Sequence, residues 1–305
     1  MNKYYPDSLI IGIYDFYKST HFSLSELANR FKIDKKSLIG RFKKLGLISK
    51  QDGSRKTFFD QDFFETIDTQ EKAYWLGFLY ADGALTKPKN KPNTFIFELS
   101  LKPGDVDHII SFAKAIKYDL SKIKTESYRS RLCFGSTKFC THLIGKGCTL
   151  RKSLTLTFPT SDIVPDHLIH HFIRGYFDGD GCVSDPLKVG LSINLLGTVD
   201  FLNGVLKWYT SFSNEEIPVI VRSKPGTQCF QFVIGAEKAK KFLENLYKDS
   251  SVCLNRKYYR YIIHIARRSR NIKPAQGKFG EVLQKYELDN TERVALEYLL
   301  SKQSL

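Results

Sequence analysis

Two stretches of similar sequence decide the fold of this chain: WLGFLYADG at residues 75–83 and IRGYFDGDG at residues 173–181. Small residues recur one helical turn apart in both of them, at Gly77 and Ala81 and again at Gly175 and Gly179. Residues four apart lie on one face of an α-helix, where small side chains let a second backbone approach closely. The stretches therefore predict two helices that cross at a pseudo-twofold axis, each ending at the glycine that follows its aspartate. Tight packing of each helix on a sheet, which also uses glycine, is the alternative.

The sequence around each stretch repeats as well, with the two Asp-Gly pairs about 100 residues apart. A strand with alternating apolar residues follows each helix, at Phe95, Phe97, Leu99 and Leu101 in the first copy and at Val189, Leu191, Ile193 and Leu195 in the second. Each strand leads to a helix, a strand pair and a closing helix, at 105–117, 121–126 with 129–136 and 138–144, then at 198–212, 217–223 with 227–234 and 237–247. We expect an α+β fold of tandem pseudo-symmetric αββαββα repeats over residues 70–165 and 166–265.

Residues 1–60 carry helical patterns and no convincing strand. A helix that continues to Phe31, a tight turn and a second helix from Lys35 to Leu45 resemble a helix-turn-helix, whose second helix enters the major groove of DNA. Basic residues cover one face of that second helix, at Lys35, Lys36, Arg41, Lys43 and Lys44. The alternative is a small helical hairpin with a solvated basic face. Residues 270–305 form a polar loop followed by a predicted helical tail.

The charge balance of the chain points to a polyanionic partner. Forty-seven Lys and Arg against 32 Asp and Glu give a net charge of +15, while 42% of the 305 residues are hydrophobic, as in ordinary globular proteins. A basic protein without an acidic partner is the alternative. The sequence shows neither a membrane-spanning run nor a signal peptide. Its six cysteines form no Cys-x-x-Cys pair, which argues against a zinc site or a disulfide framework and favours a reducing, intracellular compartment.

Each predicted helix ends with a carboxylate in an unfavourable place. Asp82 and Asp180 lie where the negative end of the helix dipole disfavours an anion, and crossing helices bring the two carboxylates together, which raises their pKa values. A divalent cation removes both difficulties, because hard cations bind carboxylate and phosphate oxygens.

The two stretches resemble the paired signature helices of the LAGLIDADG homing endonucleases, and the resemblance covers about residues 70–262. It implies that Asp82 and Asp180 bind catalytic Mg²⁺ (or Mn²⁺), with Gly83 and Gly181 at the same metal site. In that family a lysine that follows each repeat lies near the active site, and Lys152 and Lys257 are the candidates; phosphate contact or plain surface charge is the alternative. Asp178, which replaces the Tyr80 of the first copy, is interpreted as polar support rather than a ligand.

The resemblance further implies that metal-assisted hydrolysis cuts both DNA strands across the minor groove and leaves short 3′ overhangs. The two sheets would form a saddle whose polar faces read bases in the major groove. Alternation along the strands gives the candidate contacts Lys102, Lys122, Lys124, Arg129, Arg131, Lys188, Ser192, Asn194, Arg222, Lys224 and Gln231. Two copies in one chain predict a monomer that binds a long, asymmetric double-stranded target, with extra contacts from residues 1–60.

Two other functions remain open at this point. Some proteins of this fold act as RNA maturases that assist intron splicing. Others, with helix-turn-helix units, are non-cleaving transcriptional regulators, which usually lack the two acids that this chain keeps. We expect a cytoplasmic, nucleoid-associated protein of a bacterial or phage-infected cell, with an organelle as the alternative, that promotes mobility of its own gene or intron.

Overall fold

A computed structural model describes residues 5–19, 24–47, 59–89, 94–150, 152, 155–217, 221–222, 229–272 and 286–302. Contacts divide the chain into two units, residues 1–60 with 110–124, and residues 61–109 with 125–305. All six cysteines are free thiols. Within the described ranges, every helix is too short or too polar to cross a membrane.

The N-terminal 60 residues contain three helices around a small apolar core, α1 (Asp7–Ser19), α2 (Leu24–Arg30) and α3 (Lys35–Lys44). The Asp34 side chain caps α3 by accepting a hydrogen bond from the Ser37 amide at 2.9 Å. The chain leaves α3 through Gly46, whose φ of +69° favours glycine. Leu27, Leu38 and Phe42 are buried together. The two predicted helices are present as α2 and α3, and α1 completes their core; the helix-turn-helix role stays a prediction.

Two copies of one αββαββα unit follow. The first consists of α4 (Gln70–Asp82), β1 (Gly83–Thr86), β2 (Ile96–Leu101), α5 (Val106–Ala115), β3 (Lys124–Thr125), β4 (Ser130–Gly135) and α6 (Thr137–Gly145). The second consists of α7 (Ile169–Asp180), β5 (Gly181–Val183), β6 (Ser192–Gly197), α8 (Val199–Ser213), β7 (Val221–Arg222), β8 (Phe230–Gly235) and α9 (Ala236–Tyr247). The sheets have the matching orders β1-β2-β4-β3 and β5-β6-β8-β7. The fold class predicted from the repeat is confirmed.

Each sheet has one apolar and one solvated face, as alternation predicts. Leu99 pairs with Leu132 on the buried face of the first sheet, and Leu195 pairs with Phe232 on that of the second. The residues that alternate with the buried ones along β2 and β6, such as Glu98 and Asn194, are half-exposed. The core of each repeat therefore lies on the face that carries the alternating apolar residues.

The start of the second long strand was predicted wrongly. Lys188 and Val189 lie in a turn, and β6 begins at Ser192. Asp185 fixes this turn, because its carbonyl accepts the Val189 amide at 3.0 Å and its carboxylate accepts the Leu187 amide at 3.0 Å. A side chain that bonds its own neighbouring backbone competes with the sheet ladder.

Two described helices follow α9, α10 (Asn255–Ser269) and α11 (Asn290–Ser301). Arg260 of α10 donates to the Val183 carbonyl of β5 at 2.8 Å. Leu296 of α11 packs with Ile263 of α10 in an apolar cluster, and Arg270 makes two bonds to the Glu292 carboxylate, at 2.9 and 2.8 Å. The helix predicted in residues 270–305 thus corresponds to α11, which packs on α10.

Candidate active site

The helices α4 and α7 cross in direct backbone contact. A Cβ atom on Gly77 would overlap the Phe172 carbonyl oxygen, and one on Gly175 would overlap the Tyr74 carbonyl oxygen. Tyr74 and Phe172 occupy equivalent places in the two copies, so these contacts are pseudo-twofold mates, as in an isologous interface. The crossing predicted from the spacing of small residues is confirmed.

Both helices end at their aspartates, and a strand starts at once from the glycine that follows. Gly83 has φ −71° and Gly181 has φ −86°, so neither adopts the left-handed cap that usually selects glycine there. Glycine is required for close packing instead. A Cβ on Gly83 would lie 2.7 Å from the Leu79 carbonyl oxygen, and one on Gly181 would lie 2.6 Å from that of Phe177.

The carboxylates of Asp82 and Asp180 lie together at this crossing, each half-buried. A Cβ built on Gly179, the residue before Asp180, would be only 3.3 Å from Oδ2 of Asp82. Burial raises the pKa of Asp82 to about 6, with a further contribution from the charge of Asp180. Burial also raises the pKa of Asp180. The site thus concentrates negative charge in a place that disfavours it.

A lysine from each repeat reaches the carbonyl just before each aspartate. The Nζ atom of Lys152 donates to the Ala81 carbonyl at 2.8 Å, and that of Lys257 donates to the Gly179 carbonyl at 3.1 Å. Lys257 is buried and also donates to the Phe177 and Asp178 carbonyls, at 2.7 and 2.6 Å. Both ammonium groups therefore lie at the negative ends of the helix dipoles and offset them.

The Lys257 ammonium is strongly desolvated. Burial lowers its pKa to about 8, although the charges of Asp178, Asp82 and Asp180 act in the opposite direction. Lys152 is half-buried. The sequence hypothesis that both lysines lie near the two aspartates agrees with these positions, while their chemical roles remain predictions.

Asp178 is a buried acceptor in the contact between the repeats. It receives hydrogen bonds from the Tyr74 hydroxyl at 2.8 Å, the Tyr247 hydroxyl at 3.0 Å and the Leu254 amide at 2.7 Å. Burial raises its pKa. The interpretation of Asp178 as polar support is confirmed by these three bonds.

Two further groups near the site were missed by the sequence interpretation. Arg256 forms an ion pair with the buried Asp105 at 2.9 Å, and its charge lowers the pKa of Asp82. The Tyr176 hydroxyl donates to the Leu196 carbonyl at 3.0 Å and lies within hydrogen-bonding reach of Asp180. Arg256 precedes Lys257 in the basic element of the sequence, so proximity along the chain could have indicated it. Tyr176 lies within the helix, where an aromatic residue is typical of core packing, so nothing in the sequence indicated its contact with Asp180.

The donor set suits a hard cation that takes part of its ligands from outside the protein. Among the described residues, His, Cys, Asp and Glu form no group of three or more that could hold a metal ion alone. Two half-buried carboxylates with raised pKa values offer oxygen ligands, and Gly83 and Gly181 offer only backbone carbonyls. A cation there would take its remaining ligands from water and from phosphate. The residues therefore fit Mg²⁺ or Mn²⁺ in the presence of a nucleic-acid backbone.

The candidate base contacts of the first repeat lie in several environments. Arg131 points to the solvated face of β4, opposite Ser100. Arg129, in the hairpin before β4, bonds Glu126 at 3.2 Å, and both arginines lie 3.8 Å from Glu98. Three lysines are exposed outside the central strands, Lys102 after β2, Lys122 in a single turn of 3-10 helix and Lys124 on β3.

The candidates of the second repeat divide likewise. Asn194 and Gln231 share the solvated face and lie 3.5 Å apart, with Ser192 beside them at the start of β6. Lys188 is exposed in its turn and pairs with Asp185 at 3.8 Å, so it is not on that face as predicted. The Arg222 side chain and Lys224 lie outside the described residues.

The basic residues of α3 differ in exposure and in whether they already bond other groups of the protein. Lys36, Lys43 and Lys44 are exposed. Lys35 donates to the Ser25 hydroxyl at 2.8 Å, and Arg41 pairs with Asp7 and donates to the Tyr5 carbonyl at 2.7 Å. The exposed lysines thus form the free part of the predicted basic face.

Comparison with known proteins gives fold similarity at low sequence identity. No protein-family model and no curated protein sequence matches the chain. The LAGLIDADG meganuclease I-AabMI bound to uncleaved DNA is similar with a TM-score of 0.46 and 11% identity, over 70% of this chain and 98% of that one. I-GzeII in complex with its DNA target gives 0.47 and 14%, over 72% and 99%. I-LtrWI bound to target DNA gives 0.44 and 10%, over 72% and 99%. These three solved structures are described as LAGLIDADG meganucleases or homing endonucleases.

Proposed function

We propose that this chain is a site-specific homing endonuclease that hydrolyses one phosphodiester bond in each strand of double-stranded DNA. One observation carries the proposal. Two carboxylates with raised pKa values, Asp82 and Asp180, meet at the crossing of two equivalent helices, each beside a lysine in an equivalent place. Such a charge arrangement costs stability in the free protein, and a cation with a phosphate partner relieves it.

The residues would act as follows. Asp82 and Asp180 would hold Mg²⁺ or Mn²⁺, whose chemistry when bound is to polarise phosphate and to acidify water. Lys152 and Lys257 would hold positive charge beside the reacting phosphates and keep the two helix ends in place. Since each aspartate has its own lysine, each half of the site would serve one strand.

The excess of basic residues supports a DNA partner, because neutralising phosphates releases counterions. The solvated sheet faces and the exposed lysines of α3 would supply contacts along a long target. One chain carries both halves, which supports action as a monomer. Mobility of its own gene or intron is the role that the motif resemblance implies.

Sequencing of DNA ends after incubation of the purified chain with a random plasmid library tests the proposal. We expect discrete paired breaks with 3′ overhangs in Mg²⁺, none in EDTA, and none for Asp82→Asn or Asp180→Asn. The matched control, Asp162→Asn, changes an exposed aspartate in a turn and should cut like the wild type.

Two other outcomes would replace the proposal. Tight, salt-sensitive DNA binding without breaks would make the chain a regulator. Absence of cleavage together with tight binding to a structured intron RNA would make it a maturase.

A further inference from the structure

The solvated face of each sheet begins beside one of the two aspartates. Gly83, which follows Asp82, pairs with Leu99, and the next residue of β2, Ser100, pairs with Arg131 on β4. In the second repeat Gly181, which follows Asp180, pairs with Leu195, and the next residue of β6, Leu196, pairs with Gln231 on β8. Equivalent rows of side chains therefore extend from equivalent points of the site.

The solvated face of the first sheet is charged. Glu98 lies between Arg129 and Arg131, 3.8 Å from each, and all three side chains are about one-third exposed. Exposed ion pairs contribute little free energy, so the three side chains can give up their bonds to each other and bind a nucleic acid instead. The face thus offers guanidinium donors and a carboxylate acceptor.

The solvated face of the second sheet is amide-rich and apolar at the same positions. Asn194 stands where the first sheet has Glu98, and Gln231 stands where it has Arg131. Val233, the partner of Asn194, is 58% exposed, and Leu196 is half-buried on the same face. The described side chains of β6 and β8 on this face carry no charge.

The two faces match different base pairs. In the major groove arginine bonds guanine and glutamate accepts from cytosine, whereas asparagine and glutamine bond adenine and apolar groups contact the thymine methyl. We propose that the DNA target is split in composition, with G·C pairs in the half bound by the first sheet and A·T pairs in the half bound by the second. This inference rests on the proposed function, because it requires both solvated faces to lie in the major groove.

Selection of bound duplexes from a random library tests it. The full chain would be used with Ca²⁺ in place of Mg²⁺, and the recovered duplexes would be sequenced. We expect one motif whose two halves differ, G·C-biased on one side of the centre and A·T-biased on the other. Halves of the same composition, or no enriched motif, would overturn the inference.

A matched pair of exchanges assigns each half to its sheet. Gln231→Arg should change one position of the A·T half to G·C, and Arg131→Gln should change one position of the G·C half to A·T, each by about tenfold in relative affinity. Each exchange should leave the other half unchanged. A uniform loss of affinity at all positions would show phosphate contacts instead and would overturn the assignment.

The cleavage assay separates this inference from the proposed function. Cutting in Mg²⁺ at a site with uniform composition would leave the endonuclease standing and overturn the split target. A split motif without cutting would support the split target and overturn the endonuclease.

Discussion

The hydroxyl of Tyr74 donates to Oδ2 of Asp178 over 2.8 Å and so joins helix α4 of the first repeat to helix α7 of the second. The single phenolic proton is used in this bond. The Nε2 atom of His108 lies 3.0 Å from the Tyr74 hydroxyl oxygen and therefore donates its proton to that oxygen. Burial lowers the pKa of His108 to about 3, so the ring is neutral. A buried chain from His108 through Tyr74 to Asp178 thus links the two halves.

Tyr74→Phe should destabilise the protein. The change removes one of three donors to a buried carboxylate and leaves the buried Nε2–H of His108 without its acceptor. A buried polar group left unsatisfied costs about 1–3 kcal/mol. Urea unfolding followed by circular dichroism measures the loss. Tyr128→Phe is the control, because its side chain is 68% exposed and water can replace the bond to Glu126, so it should change stability little. Equal stability of the two variants would show that the Tyr74 bond contributes nothing.

Gly175→Ala should disrupt the helix crossing. Its added methyl group would overlap the Tyr74 carbonyl, and backbone cannot move aside as a flexible side chain can. We expect a loss of about 3 kcal/mol or more in the free energy of unfolding. Gly145→Ala, the last residue of α6, has open space around it and should be nearly neutral. A wild-type melting temperature for Gly175→Ala would contradict the close approach of α4 and α7.

Asp82→Asn should stabilise the metal-free protein at neutral pH. The folded chain holds the Asp82 proton more tightly than the unfolded chain, because burial raises its pKa from 3.8 to about 6. Wild-type stability therefore falls as pH rises from about 4 to about 6 and stays lower above that. Asparagine removes this penalty.

Thermal melts in EDTA across this pH range check the Asp82 prediction. The variant should melt higher than the wild type at pH 7.5, and the gap should close near pH 4. A gap of constant size at all pH values would show that ionisation of Asp82 is not its cause.

Lys257→Met should cost more stability than Lys152→Met. Lys257 supplies one buried ammonium to three carbonyl oxygens, whereas Lys152 is half-buried and bonds one. We expect about 3 kcal/mol for the first and about 1 kcal/mol for the second in urea unfolding. The exposed Lys248→Met serves as control. Equal losses for Lys152 and Lys257 would mean that the two helix ends are held alike.

Much of the repeat could be predicted from sequence, because its signals are local. Strict alternation in residues 95–101 predicts a strand, and small residues four apart predict the crossing faces of the helices. Each period also predicts which face is buried. The helices α8 and α9 begin within one residue of their predicted starts. The positions of Asp82 and Asp180 followed from the same spacing.

What could not be predicted depends on contacts between distant residues. The Tyr74–Asp178 bond spans 104 positions, and the Arg256–Asp105 pair spans 151. Arg41 looked free for DNA in the helical pattern, but Asp7 lies across from it in the folded unit. The prediction that Lys188 lies on the strand was wrong for another reason. The Asp185 carboxylate accepts the Leu187 amide and forms a turn where a strand was expected.

The hydrogen bond between Tyr74 and Asp178 also makes a first repeat and a second repeat complementary to each other. Phe172 occupies in the second repeat the place that Tyr74 has in the first. Two second repeats crossed in the same way would set each buried Asp178 against a phenyl ring that has no proton to give. Two first repeats would leave each Tyr74 hydroxyl with His108 as its remaining partner. The mixed pair thus makes a buried hydrogen bond that neither like pair can make, which favours the mixed pair when the halves are encoded as separate polypeptides.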